Sequence, residues 1–126
     1  VSRVLCRRRS VAMVQADLFG PLPGEGSWSH VLLADGNIGI GGDPVALLTR
    51  AARLLTHGGT VLVEADPRPE HAWRGTARVL CGSGAGEPIP WAAQGAVPLA
   101  VTAGRAGLRV TDVHLGARVF LELTGP

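Results

Sequence analysis

The sequence predicts a single α/β domain over residues 1–126, with parallel strands flanked by helices and a C-terminal antiparallel hairpin. Its 126 residues, 46% of them hydrophobic, suffice for one compact core and are too few for two ordinary domains. Two apolar runs, 31–34 and 60–66, enclose a stretch with the spacing of an amphipathic helix. Residues 108–115 and 118–124 then alternate apolar and polar side chains, which is typical of a hairpin.

The positive charge of the chain is concentrated at its N-terminus. All 12 basic residues are arginines, and Arg3, Arg7, Arg8 and Arg9 lie within the first ten positions. The rest of the chain carries a formal charge of −2, from eight arginines against ten acidic residues. No aromatic residue interleaves with the four arginines, as a base-stacking surface would require. We therefore interpret this segment as a solvated helix end and expect no nucleic-acid partner.

Composition also limits the compartment and the metal chemistry. No stretch approaches the roughly 18 uncharged apolar residues of a membrane span, and no basic head leads into an apolar run with a cleavage site. We therefore expect a cytoplasmic protein with no membrane partner. Cys6 and Cys81 are the only cysteines, and neither they nor the four histidines have the spacing of a metal site. Reduced thiols and no structural metal are predicted.

The first strands are predicted from apolar runs that stop at a loop. Residues 11–19 form a short apolar run that ends at the prolines and glycines of residues 20–26. The residues from Val31 to Ala34 are continuously apolar, as in a strand that is covered on both faces. We therefore expect the strand at 31–35 to be central in the sheet.

A helix is predicted between the two apolar runs. Asp43 is a good N-cap, and Pro44 suits the first helical position, where a missing N–H has no cost. Apolar residues recur at spacings of three and four through residue 55, while Arg50 and Arg53 fall on the opposite, polar side. Gly58-Gly59 should end this helix.

The second apolar strand, at 60–66, completes a right-handed βαβ unit with parallel strands. Residues 67–90 are rich in proline and glycine and are predicted to be mostly loop. Helical spacing resumes at Trp91, but Gly95 and Pro98 interrupt it, so the next helix should begin or kink near Pro98.

The glycine-rich loop "DGNIGIGGDP", at 35–44, lies at the carboxyl end of a predicted parallel strand, where open α/β sheets bind ligands. A dinucleotide fingerprint that begins at Gly39 requires a glycine where Pro44 stands. A P-loop requires lysine and then serine or threonine where Gly42 and Asp43 stand. The position indicates a ligand site, while the composition argues against a bare triphosphate.

The order of these elements and three motifs resemble the second half of a class I S-adenosylmethionine-dependent methyltransferase. The motifs "PGEG", "DGNIGIGGDP" and "GGTVLVE" are similar to those of a group of small actinobacterial-type enzymes. The resemblance implies a partial Rossmann-like sheet, S-adenosylmethionine as cofactor, and methyl transfer to a small molecule. It also implies in-line displacement at the sulfonium carbon, to which proximity and orientation contribute most of the acceleration.

The resemblance covers about residues 11–123, but only part of the family's domain. Family members begin with a strand and a G-x-G-x-G turn that cradles the methionine portion of the cofactor, followed by a second strand whose acid holds the ribose. Neither segment precedes Val11 in this sequence. The resemblance therefore implies that the chain is the C-terminal part of a methyltransferase domain, a truncated product or fragment that binds the cofactor weakly or not at all.

Two other functions remain open. One is a non-enzymatic remnant or interaction module of methyltransferase-like fold, paired with another chain that completes the sheet. The other is a different α/β enzyme, such as a reductase, against which the missing dinucleotide fingerprint counts. The sequence does not name the acceptor atom or the substrate, and it leaves a homo-oligomer open.

The resemblance implies a cofactor-binding role for five residues. Asp17 matches the carboxylate that accepts a hydrogen bond from the adenine amino group, and Leu18 offers a neighbouring backbone N–H. Asp35, Gly36 and Asn37 match the strand end that lines the methyl-donor end of the cofactor and the substrate. A purely structural role remains open for each group. In that case Asp17 is a strand-end acid that faces water, and Asp35 to Asn37 form a turn that requires positive φ.

Several other residues near the same edge have two interpretations each. The loop glycines Gly39, Gly41 and Gly42 form either a flexible substrate floor or the turn into the helix. Glu64 and Asp66, at the end of the second strand, face either the cleft or solvent. Trp73 and Trp91 either cover the site or anchor a loop. His57 is interpreted as a surface residue. Asp43 is interpreted as a cap. No residue is a convincing general base, so no catalytic residue is assigned.

Overall fold

A computed structural model describes residues 2–82 and 84–125 as one four-stranded sheet, two small ribbons and three α-helices. The elements in chain order are α1 (Ser2–Arg8), β1 (Trp28–Leu33), a 3₁₀ segment (Asn37–Gly42), α2 (Pro44–Leu54), β2 (Leu55–Ala65), β3 (Ala72–Ala77), β4 (Leu80–Cys81), β5 (Gly84–Ala85), β6 (Ile89–Gln94), α3 (Ala96–Arg105), β7 (Arg109–Leu115) and β8 (Val119–Thr124).

The main sheet has the strand order β1-β2-β8-β7. Strands β1 and β2 are parallel, with Val31 opposite Val61 and Leu33 opposite Val63. Strand β8 is antiparallel to β2 and pairs on its other side with β7, also antiparallel. The α/β class, the parallel pair around α2 and the closing hairpin are therefore confirmed.

The core lies between one face of this sheet and the helices α2 and α3. Side chains alternate between the two faces of a strand, so Val61, Val63 and Ala65 of β2 are buried while the residues between them are only half-buried. These residues form one cluster with Leu47 and Leu48 of α2 and Leu99 of α3. The core side of the sheet is thus covered by two helices.

The start of α2 follows the prediction, and its end does not. The Asp43 Oδ1 atom accepts a hydrogen bond from the Ala46 N–H at 3.1 Å, and Pro44 occupies the first turn. The helix ends at Leu54, and β2 begins at the next residue, so Gly58 and Gly59 lie inside β2. Gly59 is buried, and a Cβ there would lie 3.0 Å from the Ser29 carbonyl oxygen. Gly59 thus permits the close approach of β1 and β2, Gly58 has a φ of 75°, and neither glycine ends the helix.

The prediction of a strand at residues 11–19 is wrong, and so is the central place given to 31–35. Residues 11–16 pair with no strand among the described residues, and residues 17–19 form a turn. Strand β1 is therefore an edge strand of this chain, and its Leu32 side chain is 62% exposed. A continuous apolar run indicates that a strand suits burial on both faces, but it does not supply the neighbour that would bury it.

The interpretation of residues 67–90 as mostly loop is also wrong. Strands β3 and β6 pair along six residues each, with Thr76 opposite Pro90. In a two-stranded ribbon both strands are edges, so a proline with no N–H is tolerated when it faces away from the partner. Trp91 belongs to this ribbon, and α3 begins at Ala96, with Pro98 in its first turn.

The N-terminal segment agrees with its interpretation as a helix end. Helix α1 is seven residues long and has Arg7 and Arg8, both exposed, in its last turn. Cys6 carries a free thiol, while the side chain of Cys81 lies outside the described structure. None of the described helices is long and apolar enough to cross a membrane.

Close packing against β6 explains why glycine occupies position 39 of the glycine loop. A Cβ at this buried position would lie 2.2 Å from the Ala92 carbonyl oxygen and 2.4 Å from Trp91 Nε1. We expect Gly39→Ala to lower the free energy of unfolding by about 1–3 kcal/mol through overpacking against β6. Denaturant unfolding followed by circular dichroism measures this change.

Gly104→Ala is the matched control for that variant. Gly104 lies in α3, and a Cβ there meets no atom within 4 Å. Alanine should therefore stabilise the helix by about 0.5–1 kcal/mol. Equal effects of the two substitutions would contradict the packing role assigned to Gly39.

Candidate functional site

The candidate site lies where β1 and β2 end. Because the two strands are parallel and Leu33 pairs with Val63, their carboxyl ends reach the same edge of the sheet. The turn that begins at Ala34 and the last residues of β2 therefore lie side by side. In open α/β sheets this edge is where ligands bind.

The turn after β1 has an unusual backbone. Asp35 has φ of 56° and Gly36 has φ of 76°, both in the left-handed region. A residue with a side chain rarely adopts this conformation, although a short polar side chain tolerates it better than most. The Asp35 N–H donates to Glu64 Oε2 at 2.5 Å, which fixes the turn against β2. Such conformations cluster at functional sites.

Arg118 joins the same group from the turn between β7 and β8. Its Nε donates to Glu64 Oε1 at 2.6 Å, and its Nη2 donates to Asp35 Oδ1 at 2.7 Å and also contacts Glu64 Oε2. Its guanidinium carbon lies 5.3 Å from the centre of the Phe120 ring. Arg118 was not among the residues predicted to form the site. The signal in the sequence was its place beside Val119, which pairs with Ala65 at the end of β2.

The charges at this edge are largely paired. The hydrogen bond from Arg118 lowers the pKa of Glu64, with a further contribution from the Asp35 N–H, while burial opposes the shift. The neighbouring Asp66 has a pKa of about 2, because Arg68 donates to its carboxylate from both side chain and backbone. Glu64 and Asp66 are therefore ionised at neutral pH, and their low pKa makes both of them weak proton acceptors.

A cavity of about 180 Å³ opens beside this ionic group. Its lining includes Gly36, Glu64, Asp66, Trp91 and Gln94. Glu64, Asp66 and Trp91, whose roles the sequence left open, thus line one cavity next to the left-handed turn. The other tryptophan, Trp73, lines a separate cavity between the β3–β6 ribbon and the ends of α2 and α3.

Asp17 and Leu18 form a second group. Asp17 Oδ1 accepts the Phe19 N–H at 3.0 Å, and the half-buried Leu18 packs against the core. A Cβ at Gly41 would lie 2.9 Å from the Phe19 ring, so this turn is packed on the glycine loop. No hydrogen bond between described residues joins the Asp17 turn directly to Asp35. The two parts of the predicted cofactor site are thus connected through packing of Phe19 on the glycine loop rather than by a direct hydrogen bond.

Solved structures identify the fold. An O-methyltransferase of neocarzinostatin biosynthesis, solved with S-adenosyl-L-homocysteine and 1,4-dihydroxy-2-naphthoic acid, is 25% identical, with a TM-score of 0.62 over 99% of this chain and 38% of that one. A methyltransferase from Bacteroides fragilis, solved with S-adenosyl-L-homocysteine, is 17% identical, with a TM-score of 0.73 over 98% of this chain and 59% of that one. The CcbJ methyltransferase from Streptomyces caelestis is 16% identical, with a TM-score of 0.65 over 98% of this chain and 68% of that one.

The chain has the fold of the S-adenosylmethionine-dependent methyltransferases. No protein-family model and no curated protein matches its sequence, so this assignment rests on structure. The chain spans less than two thirds of the length of the first two of these methyltransferases.

The remaining residues of the glycine loop have structural partners within this methyltransferase fold. The Asn37 N–H donates to the Ala34 carbonyl at 3.1 Å, which closes the turn. Gly42 is buried with φ of 68°, and Asp43 caps α2. Among residues 2–82 and 84–125, no group of three histidine, cysteine or acidic side chains could hold a metal ion.

The variant Arg118→Gln removes the guanidinium that pairs with Glu64. The pKa of Glu64 should therefore rise toward its ordinary value of 4.5. A carboxyl group with a lowered native pKa contributes stability above its unfolded pKa, and that contribution is lost as the pH falls through the native pKa. The difference in unfolding free energy between parent and variant should therefore be largest near neutral pH and shrink in acid. Carbon-detected NMR titration of the Glu64 carboxyl measures the pKa.

Arg68→Gln controls for nonspecific loss of a positive charge. It should raise the pKa of Asp66 from about 2 toward 3.8 and leave Glu64 unchanged. An unaltered Glu64 titration in Arg118→Gln would show that the ion pair does not form in solution.

Proposed function

We propose that this chain is part of an S-adenosylmethionine-dependent methyltransferase that acts on a small molecule. The match of 98–99% of the chain to methyltransferase structures carries the proposal. Two of these proteins were solved with S-adenosyl-L-homocysteine, and one of them also with a hydroxylated naphthoic acid. The ligand-facing edge of the same fold holds the polar groups described above.

The Asp17 turn fits the adenine end of the cofactor. Asp17 Oδ1 is occupied by the Phe19 N–H, which leaves Oδ2 to accept from an adenine amino group. Among the described residues, no backbone oxygen accepts from the Leu18 N–H, which suits an adenine ring nitrogen. The donor and the acceptor belong to adjacent residues, so one flat ring edge can meet both.

The turn at Asp35 and Gly36 suits the methyl-donor end. A Cβ at Gly36 meets no atom within 4 Å, so a ligand can approach this backbone closely. The Asp35 side chain is 85% exposed, and with Glu64 it places two carboxylates against one guanidinium. The remaining negative charge favours a sulfonium cation. S-adenosylmethionine supplies an activated methyl group on such a sulfonium, and Asp35 to Asn37 would orient that end of the cofactor.

The ribose and the methionine portion lack such partners on the described residues. The G-x-G-x-G turn of the family precedes the strands that this chain contains, and no such pattern lies ahead of β1 in this sequence; the one at 82–86 follows β2 and β3. Strand β1 has a free edge, at which the further strands of the family's sheet can pair. A cavity of about 440 Å³ runs beside that edge, lined mostly by apolar side chains that include Val14, Trp28 and Val31. We propose that further strands, from the same polypeptide or from another chain, pair with β1 and complete the cofactor site.

The same free edge favours the second candidate, an interaction module without enzymatic activity. Apolar side chains along it, Val14 and Leu32, are 66% and 62% exposed. A cytoplasmic location belongs to either proposal, as does the absence of nucleic-acid partners, because the exposed Arg7 and Arg8 have no neighbouring aromatic residue in the sequence.

We expect this chain alone to bind S-adenosylmethionine with a dissociation constant in the millimolar range or weaker. Loss of two or three hydrogen bonds to charged groups costs roughly 3–9 kcal/mol, which is enough to erase micromolar affinity. Titration calorimetry compares this chain with a form extended by a strand and a G-x-G-x-G turn at its N-terminus, for which micromolar binding is expected.

The two candidates give different outcomes in that experiment. Micromolar binding by this chain alone would show that the sheet is completed in another way, for instance by a second copy. Absence of binding in both forms would reject the methyltransferase proposal and favour the interaction module.

A further inference from the structure

Arg50 lies in the middle of α2. Its place in the helical pattern predicted that it would lie on the solvated face, and this prediction is wrong. Its side chain is only 10% exposed. The Nε atom donates to the Leu18 carbonyl at 2.8 Å, and Nη2 donates to the Gly20 carbonyl at 2.6 Å. The same guanidinium is paired with Glu25, with Nη1 2.9 Å from Oε2 and a second contact from Nη2 to Oε1.

This guanidinium holds a segment that has no strand partner. Residues 17–25 belong to no helix or strand. Glu25 accepts the Leu22 N–H at 2.9 Å in addition to its pair with Arg50. Both ends of the segment are therefore tied to one side chain of α2, at Leu18 and at Glu25.

The contact with Leu18 also reaches Asp17 through a single peptide plane. The Leu18 carbonyl and the Phe19 N–H belong to the same planar peptide unit, so fixing one fixes the other. Arg50 holds the carbonyl, and the N–H donates to Asp17 Oδ1 at 3.0 Å. Rotation of this unit would release Asp17 Oδ1 and change the direction of the free oxygen, Oδ2.

We propose that Arg50 is a positioning residue for adenine recognition, because it fixes the peptide unit that orients the Asp17 carboxylate beside the Leu18 N–H. This inference rests on the proposed function and deepens it. Arg50 itself touches no part of the cofactor. Its effect reaches the base through the main chain of Leu18 and Phe19.

The geometry requires arginine rather than any cation. The guanidinium is a rigid planar fork whose N–H groups here reach two carbonyls and both oxygens of Glu25. A lysine ammonium has three donors at one point and cannot span these acceptors together. Arg50 also lowers the pKa of Glu25 to about 2, so the pair stays ionised from neutral pH until the pH falls toward that value.

Base discrimination tests the proposal in a way that general destabilisation does not affect. The probes are S-adenosylhomocysteine and its purine analogue, which has a hydrogen in place of the adenine amino group and keeps the ring nitrogens as acceptors. Calorimetry is performed on this chain or on its extended form, whichever binds measurably. The parent should prefer the adenine compound by about 10-fold or more, since Asp17 accepts only from the amino group.

Arg50→Lys should reduce that preference to nearly 1, as should Asp17→Ala. Arg53→Gln is the matched control on the same helix, because Arg53 is exposed and makes no hydrogen bond to residues 17–25 in the structure. It should retain the parent preference. Amide hydrogen exchange at Phe19, measured without ligand, should be faster in Arg50→Lys and unchanged in Arg53→Gln.

The outcomes separate this inference from the proposed function. Equal weakening of both ligands in Arg50→Lys, with the preference retained, would make Arg50 merely structural and leave the methyltransferase proposal intact. No binding of either probe to any form of the parent would reject the proposed function, and the positioning role with it.

Discussion

The parallel pairing of β1 with β2 is the constraint on which the candidate site depends. Parallel strands end at the same edge, so the register of Leu33 with Val63 places Asp35 beside Glu64. The connection between the two strands must cross over the sheet, and α2 provides this crossover while covering the core face. A single pairing thus fixes the position of the helix, the core and the polar edge.

The Glu64 carboxylate holds together the polar residues at this edge of the sheet. It accepts from the Asp35 backbone and from Arg118, so it links the turn after β1, the end of β2 and the β7–β8 turn. The side chain is 17% exposed, which reduces solvent screening of the pair. Arg50 holds the Asp17 turn through the Leu18 carbonyl, as Arg118 holds the turn after β1 through Asp35. Each of the two candidate ligand-binding turns is therefore held by an arginine from another part of the fold.

Local signals in the sequence were sufficient for the start of α2 and for the closing hairpin. The Asp43 cap and Pro44 mark the start of the helix, and alternation through 118–124 matches the buried face of β8. Contacts distant in sequence were not predictable in this way: Arg118 meets a carboxylate 54 residues away, and Arg50 meets a carbonyl 32 residues away. Nor does an apolar pattern tell whether β1 has one neighbour or two, since that depends on which other strands are present.

Amide NMR mapping of S-adenosylhomocysteine tests the central claim most directly. Spectra of the ¹⁵N-labelled protein are recorded with and without the ligand, on this chain at millimolar ligand and on the form extended by a strand and glycine turn. Our account predicts shifts centred on Leu18, Gly36 and Asn37 in the extended form, and weaker shifts at the same amides in this chain. Shifts confined to the β3–β6 ribbon, or unchanged spectra in both forms, would contradict it.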